Sequence, residues 1–128
     1  MLLKQKFIGC LIGEGVGDSL GAGVEGFPYL CEVRDLSDRY TDDTHMMIGI
    51  AESLIKNKGF NGKDMANTFI KNYEKEPWRG YGPGPPRVFR LIKKGISWDK
   101  AASKVYPGGS FGNGSAMRVA PVGIFYYD

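Results

Sequence analysis

An all-α fold is predicted by three observations on this chain. Apolar residues recur at three-and-four spacing through several segments, each bounded by a recognisable start or stop. No alternating strand pair or hairpin dipeptide stands out, and no whole element repeats. A balance of 42% hydrophobic and 24% charged residues over 128 positions is that of an ordinary globular domain with one core, so residues 1–128 are read as a single domain.

The first helix is expected over about residues 3–20, where the apolar pattern is interrupted by Gly9, Gly13, Gly17 and Gly21 at strict four-residue spacing. Each glycine costs a helix roughly 1 kcal/mol relative to alanine. Four on one face therefore predict that another backbone approaches closely there. The chain turns after Glu25-Gly26-Phe27-Pro28, and residues 29–40 have no clear period and read as a loop.

A second helix is expected over about residues 43–58, with Met46, Met47, Ile50, Ala51, Leu54 and Ile55 on its buried face and Gly59 as its stop. The methionines read as core filler. Asn61, with Asp64 three positions on, marks the capped start of a third helix whose apolar face is Met65, Ala66, Phe69, Ile70 and Tyr73, and which Pro77 ends. Residues 78–86 form a Gly/Pro/aromatic loop. A short helix over 87–94 carries Val88, Leu91 and Ile92, and Ser97 caps another reaching about Val105. The glycine-rich stretch 107–114 opens into a helix-compatible run over 115–125, which Pro121 breaks or kinks.

Composition excludes several partners. The net charge is only +3, with 17 basic residues scattered among 14 acidic ones and no basic stripe, which argues against nucleic acid. No segment is long enough to span a membrane. Lys4 and Lys6 before an apolar run faintly resemble a secretory signal, but Glu14 and Asp18 interrupt it and no clean cleavage site follows. Cys10 and Cys31 form neither a disulfide framework nor a zinc spacing, and they read as free thiols of a reducing cytoplasm.

Chemistry concentrates in two stretches. Thr41-Asp42-Asp43-Thr44 packs two carboxylates between two hydroxyls where a helix begins. These are hard oxygen donors of the kind that suit Mg²⁺ or Mn²⁺, and they are equally the preferred N-caps of a helix. Downstream, the glycines of 108–114 precede a helix-compatible run, an arrangement that cradles phosphate or makes a plain turn. With Asp18 and Glu25 upstream, the set implies a phosphorylated, hydroxyl-bearing substrate. Asp18 reads as a structural acid that caps or pairs near the site. No role is assigned to His45, Trp78 and Tyr81 read as loop packing, and Arg118 either neutralises phosphate or pairs with a buried carboxylate.

Four blocks in order resemble the ADP-ribosylglycohydrolases. They are Gly17-Asp18-Ser19-Leu20-Gly21 with Glu25, Thr41-Asp42-Asp43-Thr44, Arg79-Gly80-Tyr81-Gly82-Pro83-Gly84, and Gly109-Ser110-Phe111-Gly112-Asn113-Gly114-Ser115-Ala116-Met117-Arg118. The resemblance runs from about Phe7 to Phe125. It implies an orthogonally packed all-helical bundle and a hydrolase that uses a pair of Mg²⁺ or Mn²⁺ ions to cleave glycosidic bonds of ADP-ribose, with ADP-ribose or ADP-ribosylated protein as partner. By the same resemblance Thr41, Asp42 and Asp43 are metal ligands and Glu25 is the acidic residue at the scissile bond. Gly82 and Gly84 line the cleft, and Gly109, Ser110, Phe111, Gly112, Asn113 and Gly114 bind substrate, the last five around its diphosphate. Phe111 either stacks on substrate or anchors its loop to the core.

Family members are longer and supply further ligands from a late Asp-x-Asp-Thr motif that is absent here. The resemblance therefore implies a truncated, N-terminal form of the fold with half of a two-metal centre. Apolar faces left uncovered in such a form predict either a dimer that shields them or a poorly packed monomer. The alternative to an enzyme is a non-catalytic ADP-ribose-binding or crystallin-like structural relative.

Overall fold

A computed structural model describes residues 2–33 and 36–128, so positions 34–35 of the long loop lie outside the described residues. The described residues form helices and no strand. In chain order these are α1 (Leu3–Gly21), α2 (Asp42–Asn57), α3 (Gly62–Lys75), α4 (Gly84–Lys93), α5 (Trp98–Val105), a 3₁₀ turn (Ala116–Arg118) and α6 (Ala120–Phe125).

The apolar period of α2 makes it the central element. Met46, Met47, Ile50 and Leu54 are buried, and α1, α3, α6 and the 3₁₀ turn all pack against this helix. Met46 joins Ile70 of α3 and Phe89 of α4 in the core, with Phe69, Tyr73, Tyr81, Ile92 and Met117 packed around them. Ile55 does not share this face. It is 71% exposed, because one residue beyond Leu54 the helix has already turned about 100°. Lys58 takes a left-handed conformation and the Gly59 N–H closes the end on the Leu54 carbonyl at 3.1 Å, where the stop was expected.

Asp64 sews α2 to α3. Its Oδ2 accepts from the buried Ser53 hydroxyl and from Asn57 Nδ2, each at 2.8 Å, while Lys56 pairs with its other oxygen. The Asn61 side chain caps α3 by accepting from the Asp64 N–H at 3.0 Å, as the sequence predicted. Ser97 stands at the N-cap of α5 without a capping bond. Its hydroxyl instead bonds the Asp99 carboxylate and holds that group below the usual carboxylate range.

Three further expectations are corrected. α4 begins at Gly84 and not at Arg87, because Pro85 and Pro86 fit a first helical turn, where no N–H is needed. Its buried residues are Gly84 and Phe89, while Val88 and Ile92 line the cleft described below. The run 115–125 is not one helix: a 3₁₀ turn precedes α6, and Pro121 sits in the first turn of α6 instead of kinking it. Nor does a backbone approach the glycine stripe of α1. At Gly9, Gly13, Gly17 and Gly21 a Cβ would meet no atom within 4 Å, and α1 buries no residue. Close approaches occur elsewhere, and to side chains: a Cβ at Gly62 would run into the Trp98 ring, and one at Gly84 would stand 2.8 Å from the Tyr106 hydroxyl.

Candidate active-site cleft

Asp18, in the last turn of α1, organises the site by spending both of its oxygens on the start of α2. Oδ1 accepts from the Thr41 hydroxyl at 2.6 Å. Oδ2 accepts from the Thr44 hydroxyl at 2.6 Å and from the Thr41 and Thr44 N–H groups at 2.8 and 3.2 Å. Burial pushes the Asp18 carboxyl up, but these hydrogen bonds together outweigh it and hold the group below its ordinary value. Thr41 is the N-cap, its oxygen accepting from the Asp43 N–H at 3.4 Å.

The neighbouring carboxylates have fewer such partners. Burial, followed by the charges of Asp43, Glu25 and Asp18, pushes Asp42 up to about 6. Asp43 is raised by burial and then by Asp18 and Glu25. Glu14 is raised by burial, against a hydrogen bond from the Ala120 backbone, and its buried Oε1 has no hydrogen-bond partner among the described residues. Five acids thus converge where α1 meets α2, and only Asp18 is well satisfied. A divalent cation would relieve that repulsion, and Asp42, Asp43 and the Thr41 oxygen are a hard donor set that fits Mg²⁺ or Mn²⁺. Among the described residues no group of three His, Cys, Asp or Glu is arranged to hold a metal.

A cleft of about 660 Å³ opens beside these acids. Glu25, Asp42 and Asp43 line it together with Gly82, Gly84, Ser110, Gly112, Asn113 and Gly114. Met46, Phe69 and Arg118 also line it, and Phe60, Trp98 and Tyr106 add aromatic rings. Thr41 lines a smaller adjoining cavity of about 310 Å³, shared with Asp18, Glu25, Asp43 and Asn113. Gly109 and Phe111 line neither cavity. Gly109 takes φ +85° and bends the loop, and the Phe111 ring is fully exposed, so it does not anchor the loop to the core.

Arg118 meets no carboxylate within ion-pair distance among the described residues. Its Nη1 donates to Met46 Sδ at 3.1 Å and its guanidinium lies 5.5 Å from the centre of the Phe69 ring. Burial lowers its pKa against the field of Asp42. It is a cation of the cleft and not one half of a buried ion pair.

His45 and Tyr81 do more than the sequence indicated. His45 is buried, and its Nδ1 shares a hydrogen bond with the Tyr81 hydroxyl at 2.9 Å. Burial lowers the histidine pKa, and burial with the Asp42 and Glu76 charges raises that of the tyrosine, so both are neutral and the direction of their hydrogen bond follows the histidine tautomer. Arg79 donates from Nη1 to the Tyr40 carbonyl at 3.0 Å and from Nε to Glu76 at 2.7 Å. A histidine four residues after the N-cap, on the face that carries Met46 and Met47, was the available signal. Its tyrosine partner, 36 residues away, was not.

Comparison with known proteins agrees with this geometry. A family model described as ADP-ribosylglycohydrolase matches residues 1–128. The chain is 35% identical over 140 residues to an ADP-ribosylhydrolase ARH3 of Xenopus tropicalis, covering 95% of this chain and 40% of that protein. It is 36% identical over 147 residues to the Bos taurus protein of the same name, with the same coverage. To an ADP-ribosylarginine hydrolase Tri1 of Pseudomonas putida (strain GB-1) it is 27% identical over 138 residues, 91% of this chain and 35% of that one. The chain thus spans about 40% of the length of the ARH3 relatives it matches.

Proposed function

The chain belongs to the ADP-ribosylglycohydrolase family, and from that premise we propose that its cleft serves metal-dependent hydrolysis of the glycosidic bond in ADP-ribosylated protein or a related ADP-ribose conjugate. The observation that carries the reading is that Glu25, Asp42 and Asp43 share one cleft with Ser110, Gly112, Asn113 and Gly114 of the glycine-rich loop.

Thr41, Asp42 and Asp43 would hold Mg²⁺ or Mn²⁺, as a pair of ions in the family's manner. Such ions supply hydroxide from bound water near neutral pH and fix ribose hydroxyls. Asp18 orients the Thr41 oxygen by accepting a hydrogen bond from its hydroxyl. Glu25, exposed in the turn after α1, accepts a proton from attacking water or stabilises positive charge as the anomeric bond breaks. Ser110, Gly112, Asn113 and Gly114 hold the diphosphate from one wall and Gly82 and Gly84 bound it on another. Phe60, Trp98 and Tyr106 offer flat apolar faces for the base. The exposed free thiols Cys10 and Cys31 fit a reducing cytoplasm.

The competing reading is a non-catalytic ADP-ribose binder or structural relative. Release of ADP-ribose from a modified peptide in Mg²⁺ decides between them. Turnover that falls by about 10²-fold or more in Glu25→Gln supports the hydrolase. ADP-ribose binding by calorimetry without turnover supports the binder.

A further inference from the structure

We propose that Arg79, Tyr81 and His45 form a latch that fixes the metal-ligand turn to the glycine wall of the cleft, making all three positioning residues for both. This rests on reading Thr41, Asp42 and Asp43 as ligands and Gly82 and Gly84 as substrate wall.

The wall segment between α3 and α4 has no helix or strand of its own, so side-chain contacts must place it. Three consecutive residues make those contacts on consecutive parts of the α2 start. Arg79 donates to the Tyr40 carbonyl, with its guanidinium 3.7 Å from the centre of the Tyr40 ring and 4.3 Å from that of Trp78. Gly80, at φ +85°, lies so close that a Cβ would stand 3.8 Å from both Asp42 Oδ1 and Thr41 Cβ. Tyr81 bonds His45, whose own N–H closes the first helical turn on the Thr41 carbonyl at 3.1 Å. Glu76 joins the two ends, bonding Arg79 and standing 3.8 Å from His45 Nε2.

None of Arg79, Tyr81 and His45 lines the cleft, so their role is to position and not to touch substrate. Packing alone does not require this set of groups. Apolar residues of similar volume would fill the space without two buried polar partners, whereas a directional hydrogen bond fixes one register between the segments. The Tyr81 ring also packs edgewise on Tyr73 at 5.0 Å, which seats the wall on the core. Occupation of the ligand turn and of the glycine wall is thereby coupled through one rigid seam.

The test uses the full chain with His45→Leu, His45→Gln, Tyr81→Phe and Arg79→Lys, followed by amide hydrogen exchange and by Mn²⁺ titration in electron paramagnetic resonance. Loss of the buried hydrogen bond in Tyr81→Phe or His45→Leu is expected to raise exchange about tenfold in both 40–45 and 78–84, with α5 unchanged, and to weaken Mn²⁺ by a similar factor. His45→Gln, whose amide can still meet the phenol, restores most of both. Arg79→Lys keeps the charge but loses the planar fork, and loosens 40–42. Exchange in 40–45 that ignores Tyr81→Phe, or a rise spread equally over α3 and α5, overturns the latch. A wild-type chain that takes up no Mn²⁺ overturns the ligand assignment instead, and the exchange result then decides the latch by itself.

Discussion

The Thr41 hydroxyl donates to Asp18 Oδ1 at 2.6 Å, tying the last turn of α1 to the N-cap of α2 across 23 residues of sequence. The same carboxylate takes three more hydrogen bonds from Thr41 and Thr44, so Asp18→Asn loses the charge and one of two acceptor atoms. Stability is expected to fall by about 2–3 kcal/mol, the range for hydrogen bonds to a charged group combined with a lost cap. Urea denaturation at neutral pH measures it, and a change under 0.5 kcal/mol, the scale of ordinary surface substitutions, would show the anchor to be incidental.

The acids of the site set opposing pH dependences. Asp18 is held below its ordinary value when folded, so its contribution is present above the unfolded pKa and disappears as pH falls through the lower folded one. Asp42 is pushed up to about 6, so between there and the unfolded value, about 4, the folded state binds more protons and stability increases as pH falls. Burial holds His45 below its ordinary value, so its contribution is lost as pH falls over part of the same window, and the Asp42 effect is read by difference. In metal-free buffer Asp42→Asn should lose more melting temperature than the unaltered chain between pH 7.5 and 5, and saturating Mg²⁺ should shrink that gap by keeping the carboxylate ionised. Equal changes in the two chains contradict this account.

What was legible in the sequence followed period and punctuation. The 3.6-residue spacing of Met46, Ile50 and Leu54, the Asn61 cap and the Gly59 stop are local signals, and each stands where local chemistry put it. The shared cleft of Glu25, Asp42, Asp43 and the glycine loop was legible only through the order of the family blocks, since no spacing relates position 25 to position 113. What escaped was pairing over distance. Tyr81 with His45, Arg79 with the Tyr40 carbonyl and Arg118 with Met46 are choices among many possible partners that only the packed chain decides. The glycine stripe misled because four-residue spacing shows which face of α1 is bare and not whether anything lies against it.

That bare face predicts self-association of the isolated chain. Ile12 is 61% exposed, and Ile8 and Val16 lie one turn to either side of it, also exposed, with the glycines alongside. Contiguous apolar surface of this kind promotes association in water. Sedimentation velocity should show a concentration-dependent dimer or larger species, and Ile12→Lys with Val16→Glu should return it to a monomer. A monodisperse monomer across the micromolar range in the unaltered chain would count against the idea.

Gly84 offers a steric test at the cleft, because it is both the first residue of α4 and part of the cleft wall. A Cβ there would stand 2.8 Å from the Tyr106 hydroxyl and 3.1 Å from Cε2 of the same ring. Real Cβ contacts do not come that close, so the Tyr106 side chain or the start of α4 must move. Overpacking of this sort costs about 1–3 kcal/mol, and Gly84→Ala should lower stability within that range. Tyr106→Phe removes the nearest atom but leaves the ring edge, so the double variant should recover only part of the loss. Full recovery would place the whole strain on the hydroxyl, whereas no recovery would mean that α4 itself gives way, which ligand affinity in the cleft would register as a parallel drop.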